Sequence, residues 1–176
     1  MGILGLRRKN LQGETPIFMS VDEILKDGER NGFINDGRVD IEGLIRNMGL
    51  RIEKKALDSS ISGCLKKIDG QWTIIVNEKH NEKRQRFTMA HELAHYYLHR
   101  TFKDSFTDDE IFYRNEESHS IEYAANRFAS DLLINPSALK KVIKQGTVFI
   151  DEIANHFQVS SIAVKIQLSN MGYRIK

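Results

Sequence analysis

Two histidines four residues apart, with a glutamate after the first, give His91-Glu92-Leu93-Ala94-His95 the spacing HExxH. On a helix, positions i and i+4 share a face about one turn apart, so both imidazoles reach one cation at about 2.0–2.1 Å, the distance zinc prefers. Glu92 is rotated by about 100° from His91 and flanks such an ion, where its carboxylate can take a proton from water instead of ligating. This is the chemistry of metal-assisted hydrolysis with Glu92 as general base. The competing reading makes both histidines surface residues and pairs Glu92 with a nearby Arg or Lys. A third ligand downstream decides against it.

A catalytic zinc takes three protein ligands and keeps one open position. His99 repeats the step of four, but successive turns rise by about 5.4 Å, so a third group on the same straight helix recedes from the ion. Leu98 and Thr101 stand where a metzincin needs Gly and His, which excludes that class. Asp108, Asp109 and Glu110 lie in a polar stretch with no element to fix them, and read as solvated charge. Glu122 sits on the next helical segment, off the apolar stripe of Ile121, Ala125, Phe128 and Leu132 and on a face with Asn126. The expected metal ligands are therefore His91, His95 and Glu122, with zinc as the ion and manganese as the alternative.

The elements that must position these groups are legible in outline. Ser20 can cap a helix carrying Val21, Ile24 and Leu25, and a second short helix carries Ile41, Leu44, Ile45 and Met48 before Gly49 ends it. Three strand-like runs follow, Leu50 to Leu57, Ile61 to Ile68 and Gln71 to Glu78. Asp69-Gly70 makes a hairpin of the last two. Asn81 can cap the motif helix, whose apolar positions are Phe87, Ala90, Ala94, Tyr97 and Leu98. Lys103 to Glu117 reads as a loop, a helix starts near Ser118 and stops before Pro136, and the tail reads as two or three short helices.

The chain of 176 residues is 40% hydrophobic and 28% charged, enough for one core plus an appendage. No apolar run approaches the roughly eighteen residues of a membrane span, and Arg7, Arg8 and Lys9 interrupt the start before a signal-type stretch develops. Leu6 stands where a myristoylation signal needs Ser or Thr. With one cysteine, Cys64, no internal disulfide can form, and the expected compartment is the cytoplasm. Twenty-six basic against 24 acidic residues give a net charge of +2, too even to mark nucleic acid as the partner.

The run Arg84-Gln85-Arg86-Phe87-Thr88-Met89-Ala90-His91-Glu92-Leu93-Ala94-His95, then Glu122-Tyr123-Ala124-Ala125-Asn126-Arg127-Phe128-Ala129 and Leu132-Leu133-Ile134-Asn135-Pro136, resembles the ImmA/IrrE family of metallopeptidases. The likeness extends back through Asp40-Ile41-Glu42-Gly43-Leu44 and Ile61-Ser62-Gly63 and forward into the tail. It implies zinc on His91, His95 and Glu122, with Glu92 as the catalytic residue. It also implies an α+β fold: a small antiparallel three-stranded sheet packed on zincin-like helices, with a C-terminal helix-turn-helix-like segment. The expected division is an arm over 1–19, the peptidase domain over 20–136 and the helical segment over 137–176, a short form without the family's C-terminal sensor domain. The implied function is a regulatory endopeptidase that cuts a specific protein partner, such as a Cro/C1-type helix-turn-helix repressor encoded nearby on a prophage or other mobile element. The rival is a scaffold acting by binding, as a toxin or regulator held by an antitoxin, or as a DNA-binding factor.

In the tail, Ile153, Ala154, Phe157, Val159, Ala163, Val164 and Leu168 have helix-turn-helix spacing, and Ser160 can cap the second helix. That helix offers only Lys165, Gln167 and Asn170 to bases or phosphates, so the tail is expected to cover the core instead of reading DNA. Asn126 and Asp131 are candidates to orient a ligand histidine, and Tyr96, His99 and His119 to donate to an oxyanion. Arg84 and Arg86 read as a solvated helix face or a face toward substrate. Cys64 and Trp72 read as packing residues, and His80 and His156 have no partner at metal spacing.

Overall fold

Local signals at the chain's turns and helix starts account for most of the element boundaries. In the computed structural model, which describes residues 20–99, 105–107 and 116–174, the order is α1 (Val21–Arg30), β1 (Ile34–Asn35), β2 (Arg38–Val39), α2 (Ile41–Asn47), β3 (Arg51–Lys55), β4 (Gly63–Ile68) and β5 (Gln71–Asn77). Then come α3 (Glu82–His99), β6 (Ser105–Thr107), α4 (Glu116–Leu133), α5 (Pro136–Lys144), α6 (Ile150–Phe157) and α7 (Ser161–Asn170). The arm expected over 1–19, and Asp108, Asp109 and Glu110, lie outside the described residues. Ser20 and Glu23 close a reciprocal capping box on α1. Asn81 Oδ1 accepts from the Arg84 N–H at 3.0 Å to start α3, and Ser160 Oγ from the Ala163 N–H at 3.1 Å to start α7. Asp69 and Gly70 both take positive φ, 50° and 78°, as the tight β4–β5 hairpin requires.

The sheet departs from the expected three antiparallel strands. It has four strands in the order β3-β5-β4-β6, and β3 runs parallel to β5. The hairpin ties β4 to one edge of β5, while the connection over 56–62 is too long for a tight turn, so β3 finds its hydrogen bonds on the other edge. Asn77 organises that connection: its side chain donates to the Asp58 and Ile61 carbonyls at 2.8 Å each and accepts from the Leu57 N–H at 3.3 Å. β5 is thus central, and Thr73 to Asn77 are all buried, as for a strand covered on both faces. β6 falls in the stretch expected to be a loop; it pairs antiparallel with β4 and forms the sheet's outer edge.

α3 packs along α4 on one side and against β4 and β5 on the other. Every residue from Thr88 to His95 is consequently buried, where the apolar spacing alone indicated a one-sided helix. Gly63 makes the approach possible. A methyl at this position would lie 2.5 Å from the Ile75 carbonyl oxygen and 2.6 Å from Thr88 Cγ2. Gly63→Ala is expected to destabilise the fold by about 1–3 kcal/mol, read as a lower urea midpoint with an unchanged slope.

The buried side chains form one cluster that includes Ile24 and Leu44 near the start, Ile74 and Leu93 in the centre, and Phe157, Val164 and Leu168 in the tail. Two polar residues tie the tail to it. Arg86 is 8% exposed rather than solvated, and donates to the Val39 carbonyl at 2.9 Å and the Gln158 carbonyl at 3.2 Å. Gln167 is 1% exposed and donates to Asp131 Oδ1 at 2.8 Å and the Ile134 carbonyl at 3.1 Å. It is therefore withdrawn from any DNA-facing surface. No helix among the described residues is long and apolar enough to cross a membrane.

Candidate metal centre

Helical spacing on α3 stacks His91 over His95, and the packing of α4 brings Glu122 to them. The two Nε2 atoms are 3.0 Å apart. His91 Nε2 lies 3.3 Å from Glu122 Oε2, and His95 Nε2 lies 3.1 Å from Glu122 Oε1. Ligand atoms at about 2.0–2.1 Å around a tetrahedral zinc stand about 3.3 Å from one another, and the two imidazole nitrogens and the two Glu122 oxygens they face have spacings of this size. All three side chains offer ligand atoms within 4.8 Å of one another and could hold one ion. The residue types, two imidazoles and a carboxylate, suit zinc or another first-row divalent metal.

Electrostatics favour the same arrangement. Burial raises the Glu122 carboxyl, but hydrogen bonds and attraction from His91 and His95 outweigh it and hold the group at about 2. Glu122 is therefore an anion at any working pH. Asn126, one turn after Glu122, places Oδ1 3.1 Å from His91 Nδ1. With this carbonyl accepting, Nδ1 carries a hydrogen, so that the neutral ring can offer its Nε2 lone pair to an ion. The Phe87 ring stacks on His91 at 6.5 Å between centroids, and His91 meets His95 edge-on at 4.7 Å. Glu92 is 1% exposed on the same helix, between the two histidines in sequence.

Of the two residues expected to orient a histidine, the structure brings Asn126 to the site and gives Asp131 other partners, Gln167 and Arg127. Asn126→Ala should weaken metal binding by about 10- to 100-fold in competition with a chelating indicator. Its thermal midpoint without metal should move little, because Asn126 is exposed. Tyr96 packs edge-on against Trp72 at 5.9 Å, which spends its ring on the sheet side of α3. The side chain of His99 lies outside those described, while His119 is exposed one turn before Glu122.

A model of the peptidase family described as the IrrE N-terminal-like domain matches residues 46–169, which hold α3, α4 and all four residues of the motif and third-ligand set. The chain belongs to this ImmA/IrrE family. It is 33% identical over 110 residues to Metallopeptidase ImmA of Bacillus subtilis (strain 168), an alignment covering 60% of each chain. A Mycobacterium tuberculosis transcriptional regulator of known structure superposes with a TM-score of 0.56 at 18% identity, covering 86% of this chain and 52% of that one. That likeness concerns the fold. The chain thus spans 60% of the curated ImmA and about half of the solved regulator. Membership of a metallopeptidase family implies a metal ion, and His91, His95 and Glu122 at the α3–α4 contact could hold one.

Proposed function

We propose that the chain is a zinc-dependent endopeptidase that cuts one protein partner as a regulatory act, with a Cro/C1-type helix-turn-helix repressor as the expected substrate. The observation carrying this reading is the convergence of His91, His95 and Glu122 on one point within 4.8 Å, with Glu92 buried on the same helix. The substrate class rests on the family resemblance, and a DNA-bound repressor would be met in the cytoplasm.

In this reading His91, His95 and Glu122 hold the ion, and Asn126 fixes the His91 ring. When bound, zinc supplies Lewis acidity to the peptide carbonyl and to water. Glu92 takes a proton from the attacking water as its oxygen bonds to the carbonyl carbon. It then returns that proton to the departing amine nitrogen, so the carboxylate ends as it began. His119, one turn from Glu122 on α4, is the side chain we assign as a second donor to the developing oxyanion. β6, an outer strand of the sheet, offers main-chain groups along which an extended substrate can lie. That mode of recognition favours an unfolded linker within the partner.

The test is incubation of the zinc-loaded protein with the helix-turn-helix regulator encoded beside its gene, followed by intact-mass measurement. A single cut that disappears with chelator and with Glu92→Gln is the expected result. A regulator that is bound but never cut would overturn the peptidase reading in favour of action by binding.

A further inference from the structure

A cavity of about 740 Å³ opens between α3, α4 and α7. Tyr123, Ile162 and Ile166 line it and are 65%, 69% and 51% exposed. Large apolar side chains gathered in one concave surface mark a contact site more than scattered ones do. The same cavity is lined by Lys83, Arg84 and Arg127 and, among the described residues, by no carboxylate. Lys83 Nζ donates to Asn155 Oδ1 at 3.0 Å and Arg84 Nη2 to Ser62 Oγ at 2.9 Å, both neutral oxygens, and among the described residues neither cation has a carboxylate in ion-pair contact. Arg127 has Asp131 at 3.7 Å, with its side chain 60% exposed.

The groove adjoins the candidate metal centre at His91. Phe87 and Asn126 line it, and these are the residues that stack on His91 and bond its Nδ1. A chain seated here runs past the two residues that hold the His91 ring. Its chemistry follows from complementarity: apolar groups for the apolar wall, and acidic groups for three cations with no internal acid among the lining residues.

We propose that this groove is the subsite for the substrate segment on one side of the cut bond, and that it selects an acidic, apolar sequence. One or two large aliphatic or aromatic side chains pack against Tyr123, Ile162 and Ile166, with Asp or Glu beside them to meet Lys83, Arg84 and Arg127. The inference rests on the peptidase reading and specifies its substrate class. A nucleic acid fits less well, because Ile162 and Ile166 take two of the outward positions of α7 at this groove and leave Asn170 as its polar side chain there.

Two measurements test it. Zinc-loaded protein is given an unbiased peptide library, and the cut products are sequenced by mass spectrometry. Separately, zinc-loaded Glu92→Gln protein is titrated with the fluorescent peptides Ala-Asp-Glu-Leu-Phe-Ala and Ala-Lys-Lys-Leu-Phe-Ala. Cut sites should be enriched in large apolar residues next to Asp or Glu, and the acidic peptide should bind about tenfold more tightly. That preference should vanish in 1 M salt, where screening acts within about 3 Å, and should invert in the double variant Lys83→Glu with Arg127→Glu. Equal binding of the two peptides, displacement of the acidic peptide by a DNA duplex, or cutting without sequence preference overturns the subsite. Selective binding with no cutting of any peptide overturns the peptidase reading instead and leaves a peptide-docking groove.

Discussion

Glu92→Gln in the zinc-loaded protein is expected to lose peptide hydrolysis by about two to four powers of ten while keeping its metal. The magnitude is that of removing a positioned general acid-base. The substitution is close to isosteric, which matters because Glu92 is 1% exposed in the packed interior of α3 and a smaller residue would leave a void. The amide cannot accept the proton that the carboxylate takes in the proposed mechanism, yet the candidate ligand set of His91, His95 and Glu122 is untouched. Zinc content measured beside turnover separates the two effects. A variant that keeps both metal and full activity would place the base elsewhere, and one that loses metal would make Glu92 a ligand.

Glu122→Gln should do the reverse and abolish metal retention. The wild-type carboxylate, held at about 2 by the two histidines, supplies the negative charge of the site. An amide carries none and is a poor ligand for a first-row cation. Zinc at about 100 times its dissociation constant stabilises a folded protein by about 2.7 kcal/mol. For a chain of this size that is a rise in melting temperature of about 5–10 °C. The wild type should show this rise, and Glu122→Gln should show almost none while retaining its helical circular dichroism. An undiminished rise in the variant would mean that the ion sits away from Glu122.

The grouping of His91, His95 and Glu122 was more legible in the sequence than the sheet that supports it. HExxH places three side chains by helical repeat alone, and Glu122 stood out as a carboxylate off the apolar stripe of a predictable helix. Asn126 followed from the same face. Strand order is different, because it depends on which edge of β5 is vacant after the hairpin closes, and no local pattern in Arg51–Lys55 records that. The stretch Thr73 to Val76 did carry a signal of two-sided burial in its unbroken β-prone run. Arg86 and Gln167 were misjudged for one reason: a polar residue's type reveals what it can bond, whereas their hydrogen-bond partners here lie 33 to 72 positions away.

The guanidinium of Arg86 reaches from the HExxH helix to the β2 backbone and to the bend between the last two helices. Deleting the tail would strand a desolvated cation beside the motif and strip its acceptor at Gln158. The terminal helices are thus no detachable module. In a chimaera between relatives, the HExxH segment and the end of the chain have to be inherited from the same parent.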